Sequence, residues 1–273
     1  DFSDLEKITP DGVERLIRNP NVWYERQLRV RLMTTPPSKE VSDRILKIAN
    51  DPKNDTVIRL RAIWTSYTIG SLTPEAILGL LSEKDEHLRV WGIRLMSDSM
   101  LNRPFPGEKI SRNNIDAILK SRNASDPILK LATSDPSGLV KLALSSYLQR
   151  VGGYLDRTPL AIALASDPTY ANDPQLPYMI WNGMIPVAKE DPASLIKLAV
   201  AAKSPKLTKW SARYLATRQE KTPAPFNDLL AADIPAENRH AILEGINEAF
   251  AGISKANPPS NWKSFAASVS TPE

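Results

Sequence analysis

The sequence predicts an all-α protein assembled from repeated helix pairs. Three observations carry this: a degenerate motif returns five times, apolar residues inside it recur at three- and four-residue steps, and turn-forming residues fall between the apolar stretches. Composition agrees. Leu, Ala, Ile, Lys and Arg dominate, and only 11 glycines are spread over 273 residues, which favours helix because Gly is costly in helix interiors. The 23 prolines read as helix punctuation, placed between the periodic stretches where proline starts or stops a helix.

Each copy of the motif is a short amphipathic helix, a turn of Asn, Asp, Pro or Ser, and a longer helix with Arg or Lys near its start. It runs Leu16 to Leu32 around Asn19-Pro20-Asn21 and Arg26, then Leu46 to Trp64 around Asp51-Pro52 and Arg59. The third copy is Leu80 to Met96 around Asp85 and Arg89, the fourth Leu129 to Leu148 around Asp135-Pro136 and Lys141, the fifth Leu195 to Leu215 around Ser204-Pro205 and Lys209. Arg26 to Arg59 is 33 residues and Arg59 to Arg89 is 30, the length of one helical hairpin in HEAT-like repeats. The expected architecture is an α-α superhelix, a HEAT-like or armadillo-type solenoid of about five to six helix pairs over residues 1–221. An insertion at about 101–125, with a short helix near 114–121, interrupts it, and a further pair fits at 159–166 and 176–189. Residues 222–273 form a helical cap of the same domain, with helices at about 235–253 and 260–268. Thr9-Pro10-Asp11, Thr73-Pro74-Glu75 and Asp191-Pro192 offer an N-cap side chain followed by proline.

With 42% hydrophobic and 24% charged residues, the chain has the composition of a globular protein with a sizeable core. The longest apolar run, 178–188, is broken by Asn182 and is too short to span a bilayer. No cysteine is present, which excludes disulfides, thiolate metal sites and covalently attached haem within these residues. The net charge of +4 is mild: residues 1–100 hold 15 basic and 15 acidic side chains, leaving 35 − 15 = 20 basic against 31 − 15 = 16 acidic in the rest. Nucleic-acid binders carry a stronger and more continuous basic stripe, so no nucleic-acid partner is expected. Because the sequence starts at Asp1 rather than Met, it is expected to be a processed protein or a piece of a longer one.

No catalytic, cofactor or metal constellation emerges. His87 and His240 are the only histidines and neither has a second His at helical spacing or a Ser or Cys motif beside it. Gly152-Gly153 does not build a phosphate loop. The turn aspartates with the following cations, Asp51 with Arg59, Asp85 with Arg89 and Asp135 with Lys141, read as caps and bridges between repeats. Arg59, Arg89 and Lys141 are therefore structural anchors. Trp23, Trp64, Trp91, Trp181 and Trp210, nearly one per repeat, read as core anchors kept roughly a repeat apart. One cluster invites a partner: Lys197, Lys203, Lys206, Lys209, Arg213, Arg218 and Lys221, with Glu220 the only acid between its ends. On stacked helices some of these share a face that docks an acidic protein.

The stretch Tyr170-Ala-Asn-Asp-Pro-Gln-Leu-Pro-Tyr-Met-Ile-Trp181, with Asn19-Pro-Asn-Val-Trp23-Tyr-Glu-Arg26 and Leu88-Arg-Val-Trp-Gly-Ile-Arg-Leu95, resembles one family. That family is the haem-binding, membrane-bound-dehydrogenase-like proteins of planctomycete and verrucomicrobial type, over roughly residues 4–219. Where the family often has His after Asp-Pro this chain has Gln175, so that histidine's role is not carried over. In the family a HEAT-repeat region lies between a quinoprotein-like β-propeller and a cytochrome c domain with Cys-x-x-Cys-His. The resemblance implies an exported, periplasmic and envelope-associated setting, and a non-catalytic scaffold whose partners are neighbouring domains. It implies no cofactor in this chain; haem c and a quinone cofactor would sit in neighbouring domains of such a parent. Two other readings stand beside it: a free-standing HEAT-repeat protein taking a peptide or protein on its concave face, and an enzyme using grooves near Asp173 and Trp181.

Overall fold

The computed structural model describes residues 2–100, 125–151 and 156–269, and those residues are helical with no strand among them. The chain divides into two compact units, 1–96 and 97–273, whereas the sequence places its one internal boundary at 221/222. The expected helix at 114–121 lies outside the described residues. Among the described residues no helix is long and apolar enough to cross a membrane.

The first unit contains α1 (Phe2–Glu6), α2 (Pro10–Arg18), α3 (Val22–Thr34), α4 (Lys39–Asn50), α5 (Thr56–Thr68), α6 (Pro74–Leu80) and most of α7 (Glu86–Met100). Their starts follow from capping side chains. The Thr9 hydroxyl accepts from Gly12 N with Pro10 in the first turn, Ser38 from Val41 N, Asp55 from Ile58 N and Thr73 from Ala76 N with Pro74 behind it. Each cap satisfies an N–H that the helix itself leaves orphaned, worth about 1 kcal/mol. Apolar spacing then chooses the buried stripe: Val13, Leu16 and Ile17 on α2, and Val41, Ile45, Ile48 and Ala49 on α4, each large one contributing about 1.5–3 kcal/mol. Helix α2 packs on α3 and α4, α4 on α5, and α3 on α5.

The second unit contains α8 (Ser125–Ser134), α9 (Gly138–Arg150), α10 (Thr158–Ala165), a 3-10 turn at Pro168–Tyr170, α11 (Leu176–Glu190), α12 (Ser194–Ala201), α13 (Pro205–Ala216), α14 (Pro223–Ala231), α15 (Ala236–Phe250) and α16 (Trp262–Ser268). The shorter helices α8, α10, α12 and α14 each pack on the next of that set, and the longer α9, α11, α13 and α15 do the same. The sequence places helices at 159–166 and 176–189, and α10 and α11 form within one residue of those bounds. Helix α14 is not among the helices the sequence pattern places in the cap; Pro223 and Pro225 both fall in its first turn, where proline is tolerated. Pro186 also departs from the expectation that prolines stand only between periodic stretches. It lies inside α11, where it supplies no N–H for the Asn182 carbonyl, and the adjacent Gly183 carbonyl accepts from Arg157 Nη1 at 2.8 Å instead.

The basic side chains near the starts of α5, α7 and α9 bond to backbone carbonyls and carboxylates of their own unit. Arg59 is buried; its Nε donates to the Ala49 carbonyl at 3.0 Å, closing α4, and its Nη atoms reach forward to the Glu83 carboxylate at 2.6 and 3.2 Å. Lys141 is 1% exposed and repeats the arrangement, with Nζ on the Ala132 carbonyl at 2.6 Å and on the Asp167 carboxylate at 2.9 Å. Arg89 donates to the Glu83 and Lys84 carbonyls at 2.9 and 2.7 Å. The carboxylates that Arg59 and Lys141 meet are thus Glu83 and Asp167, in the corresponding turn of the next helix pair, and not Asp51 and Asp135. Of the turn aspartates Asp85 caps, accepting from His87 N at the start of α7 and from the Thr56 hydroxyl, while Asp51 and Asp135 brace their turns by accepting from Lys53 N and Ser137 N; the caps of α5 and α9 are Asp55 and Ser137. In the fifth copy the acceptor is the Ala199 carbonyl, and it is met by the Thr208 hydroxyl at 3.2 Å rather than by Lys209.

Tyr147, 1% exposed on α9, has a buried hydroxyl with no hydrogen-bond partner among the described residues, and burial pushes its ionisation far above the usual tyrosine range. An unmet buried hydroxyl costs free energy that a phenyl ring does not. Tyr147→Phe is therefore expected to leave the urea midpoint unchanged or raise stability by up to about 1 kcal/mol. A loss larger than that would show a partner for the hydroxyl.

Candidate functional site

The distinctive 170–181 stretch builds the start of α11. The Asp173 carboxylate accepts from Gln175 N and Leu176 N at 2.8 Å each, and the Tyr170 hydroxyl donates to the Pro136 carbonyl at 2.8 Å. Asp173 is therefore engaged as a helix cap. From that fixed start, Tyr178 and Trp181 come round one turn apart on the side of α11 that meets α13. Helix α13 answers with Lys206, Trp210 and Tyr214, which share a face at four-residue steps.

The rings converge. Tyr178 and Trp210 have centroids 4.7 Å apart, Trp181 and Trp210 6.0 Å, and Trp181 and Tyr214 6.2 Å, the separations of offset or tilted aromatic pairs. A cation stands at each end of the block: Lys206 Nζ lies 5.6 Å from the Tyr178 ring centre and Arg218 Cζ 3.6 Å from that of Tyr214. Tyr178 is half exposed (50%) and the other three rings are partly exposed. None of these five tryptophans is fully buried: Trp23 is 41% exposed, and Trp64, Trp91, Trp181 and Trp210 are mostly buried with part of each ring at the surface. Nor does repeat spacing separate them, because consecutive longer helices lie side by side. Trp64 and Trp91 meet at 4.8 Å in the first unit in the same way.

The structure divides the basic cluster in two. Lys209 pairs with Glu244 at 3.6 Å and Glu248 at 3.1 Å, and Arg213 with Glu248 at 3.3 Å. Hydrogen bonding and charge from Glu248 hold the Lys209 ammonium above the usual lysine range against partial burial. These two cations fasten α13 to α15. Lys197, Lys203, Lys206, Arg218 and Lys221 make no ion pair among the described residues, and all but the half-buried Lys206 are exposed.

Sequence reasoning passes over Glu25. It is wholly buried on α3, with Arg29 Nε 2.7 Å from its carboxylate, and Arg29 in turn lies 5.6 Å from the Trp64 ring centre. Burial pushes its ionisation upward, opposed by Arg29, Arg61 and Arg26. The signal is present in the pattern: Glu25, Leu28 and Leu32 stand at helical spacing, so an acid occupies a core-facing position. In comparison with known proteins, no protein-family model and no curated protein matches this chain.

Proposed function

We propose that the chain is a non-catalytic interaction module, each of its two units a run of HEAT-like helix pairs, which docks an acidic protein surface on the second unit. The carrying observation is the contrast along α13 and the turn after it. The cations facing α15 are paired with Glu244 and Glu248, while those facing the aromatic block, Lys206 and Arg218, meet no carboxylate among the described residues. Unpaired charge held in place steers a partner of opposite sign and fixes its register. The HEAT-like reading is supported by the two rows of neighbouring helices and by the recurrent cation-to-carbonyl bonds of Arg59 and Lys141. The sequence resemblance supplies the setting: a spacer between a dehydrogenase-like head and an electron-accepting haem domain, in the periplasm or at the envelope.

The native polypeptide tests that setting. An antibody raised against this chain is expected to detect, in envelope fractions, a band much larger than 30.3 kDa that also stains for covalent haem. A haem-free band near 30 kDa would replace the spacer with a free-standing peptide- or protein-binding module.

A further inference from the structure

The docking reading gives the partner's charge but not its form, and the aromatic block narrows that. Resting on that reading, we infer that the face formed by Tyr178, Trp181, Trp210 and Tyr214 binds an extended acidic segment. Such a segment places apolar or proline side chains on the rings and carboxylates at both ends, on Lys206 and Arg218.

The geometry sets the ligand's length. Lys206 and Arg218 are twelve positions apart along α13 and the turn after it, about 18 Å at a helical rise. An extended chain advances about 3.3 Å per residue, so its acidic groups should stand about five to six positions apart. Between them the ligand crosses four rings whose centroids step by 4.7 to 6.2 Å, a surface suited to proline and aromatic side chains rather than to bulky charge. A helical ligand fits less well, because the two cations stand at opposite ends of a row of four rings, and an extended chain reaches both with few residues. Single-stranded nucleic acid also combines stacking with cations. It is disfavoured here because Glu244 and Glu248 flank the same helix and Glu220 follows Arg218, interrupting any continuous phosphate track.

The test uses the full chain and four fluorescein-labelled probes read by anisotropy: the peptides Asp-Asp-Pro-Phe-Pro-Leu-Glu-Glu, Asp-Asp-Gly-Ser-Gly-Ser-Glu-Glu and Lys-Lys-Pro-Phe-Pro-Leu-Lys-Lys, and a thymidine decamer. The first is expected to bind at least ten-fold tighter than each of the others, and to weaken as salt rises. Lys206→Glu with Arg218→Glu should cost it ten-fold or more, and Tyr178→Ala three-fold or more, with thermal midpoints unchanged. Equal binding of the two acidic peptides would sink the aromatic part and leave the docking reading standing. Equal binding of the basic peptide, or tighter binding of the decamer, would overturn the inference through its charge argument. A chain that takes none of the four would lose both the inference and the docking reading.

Discussion

Gly245→Ala is expected to lower the thermal midpoint of the second unit by about 6–12 °C, a loss of roughly 3 kcal/mol. Helix α15 lies so close to α13 that a methyl group at position 245 would sit well inside contact distance of the Lys209 carbonyl oxygen, 3.0 Å from Arg213 N and 3.1 Å from Ala212 Cβ. Two of these neighbours are backbone atoms, so no side chain can turn aside to make room, and one helix must move off the other. Such a shift would also draw Glu244 and Glu248 away from Lys209 and Arg213. Alanine ordinarily improves a helix by about 1 kcal/mol over glycine, and here packing outweighs that gain. The control is Gly79→Ala on α6, where no atom of the described residues stands within 4 Å of the added methyl group. The same substitution should raise stability there by about 0.5–1 kcal/mol. If calorimetry gives both substitutions the same sign, the close approach of α13 and α15 is wrong.

Lys141→Met is expected to cost the second unit about 3 kcal/mol, the range for removing one partner of a buried pair. The methionine fills the volume but leaves the Ala132 carbonyl and the Asp167 carboxylate without their donor. Asp167→Asn in the Lys141→Met background should return part of the loss, and additive losses in urea unfolding would show that the two groups do not interact. The pair also carries a pH signature. Burial raises the Asp167 carboxyl, but hydrogen bonds from Lys141 and Thr169 outweigh it and hold it below the usual aspartate range. A carboxyl depressed in the folded state contributes stability above its unfolded value, near 4, and loses it as pH falls through the folded one. Wild type should therefore lose stability below about pH 4 more steeply than the double variant.

Most of the helices are legible in the sequence because capping chemistry is local. Thr9-Pro10, Thr73-Pro74 and the spacing of Val41, Ile45 and Ile48 specify starts and buried stripes without reference to the rest of the chain. The features that escape it depend on distance between packed helices. Arg59 finds Glu83 rather than Asp51 because its guanidinium reaches forward, toward the next helix pair and away from the turn that precedes it. The tryptophans read as core anchors for a related reason. Thirty residues along the chain become one helix-to-helix step in space, so residues a repeat apart, such as Trp64 and Trp91, touch. Lys209 groups with the other cations of the 197–221 cluster in the linear sequence because its carboxylates lie 35 and 39 positions ahead, on a helix that reads only as a cap.

The buried cations give each unit a direction. Arg59 meets its carboxylate 24 positions later and Lys141 meets Asp167 26 positions later, so each is completed only by residues nearer the C-terminus. During synthesis from the N-terminus, a helix pair emerges holding a charge it cannot yet bury, and it waits about two dozen residues for the neutralising acid. Loss of material is correspondingly unequal. Trimming a unit from its front strands an acid, Glu83 or Asp167, that already touches solvent. Trimming it from the back strands a cation in the core, so nibbling from the C-terminal side should melt the remaining pairs sooner than equal nibbling from the N-terminal side.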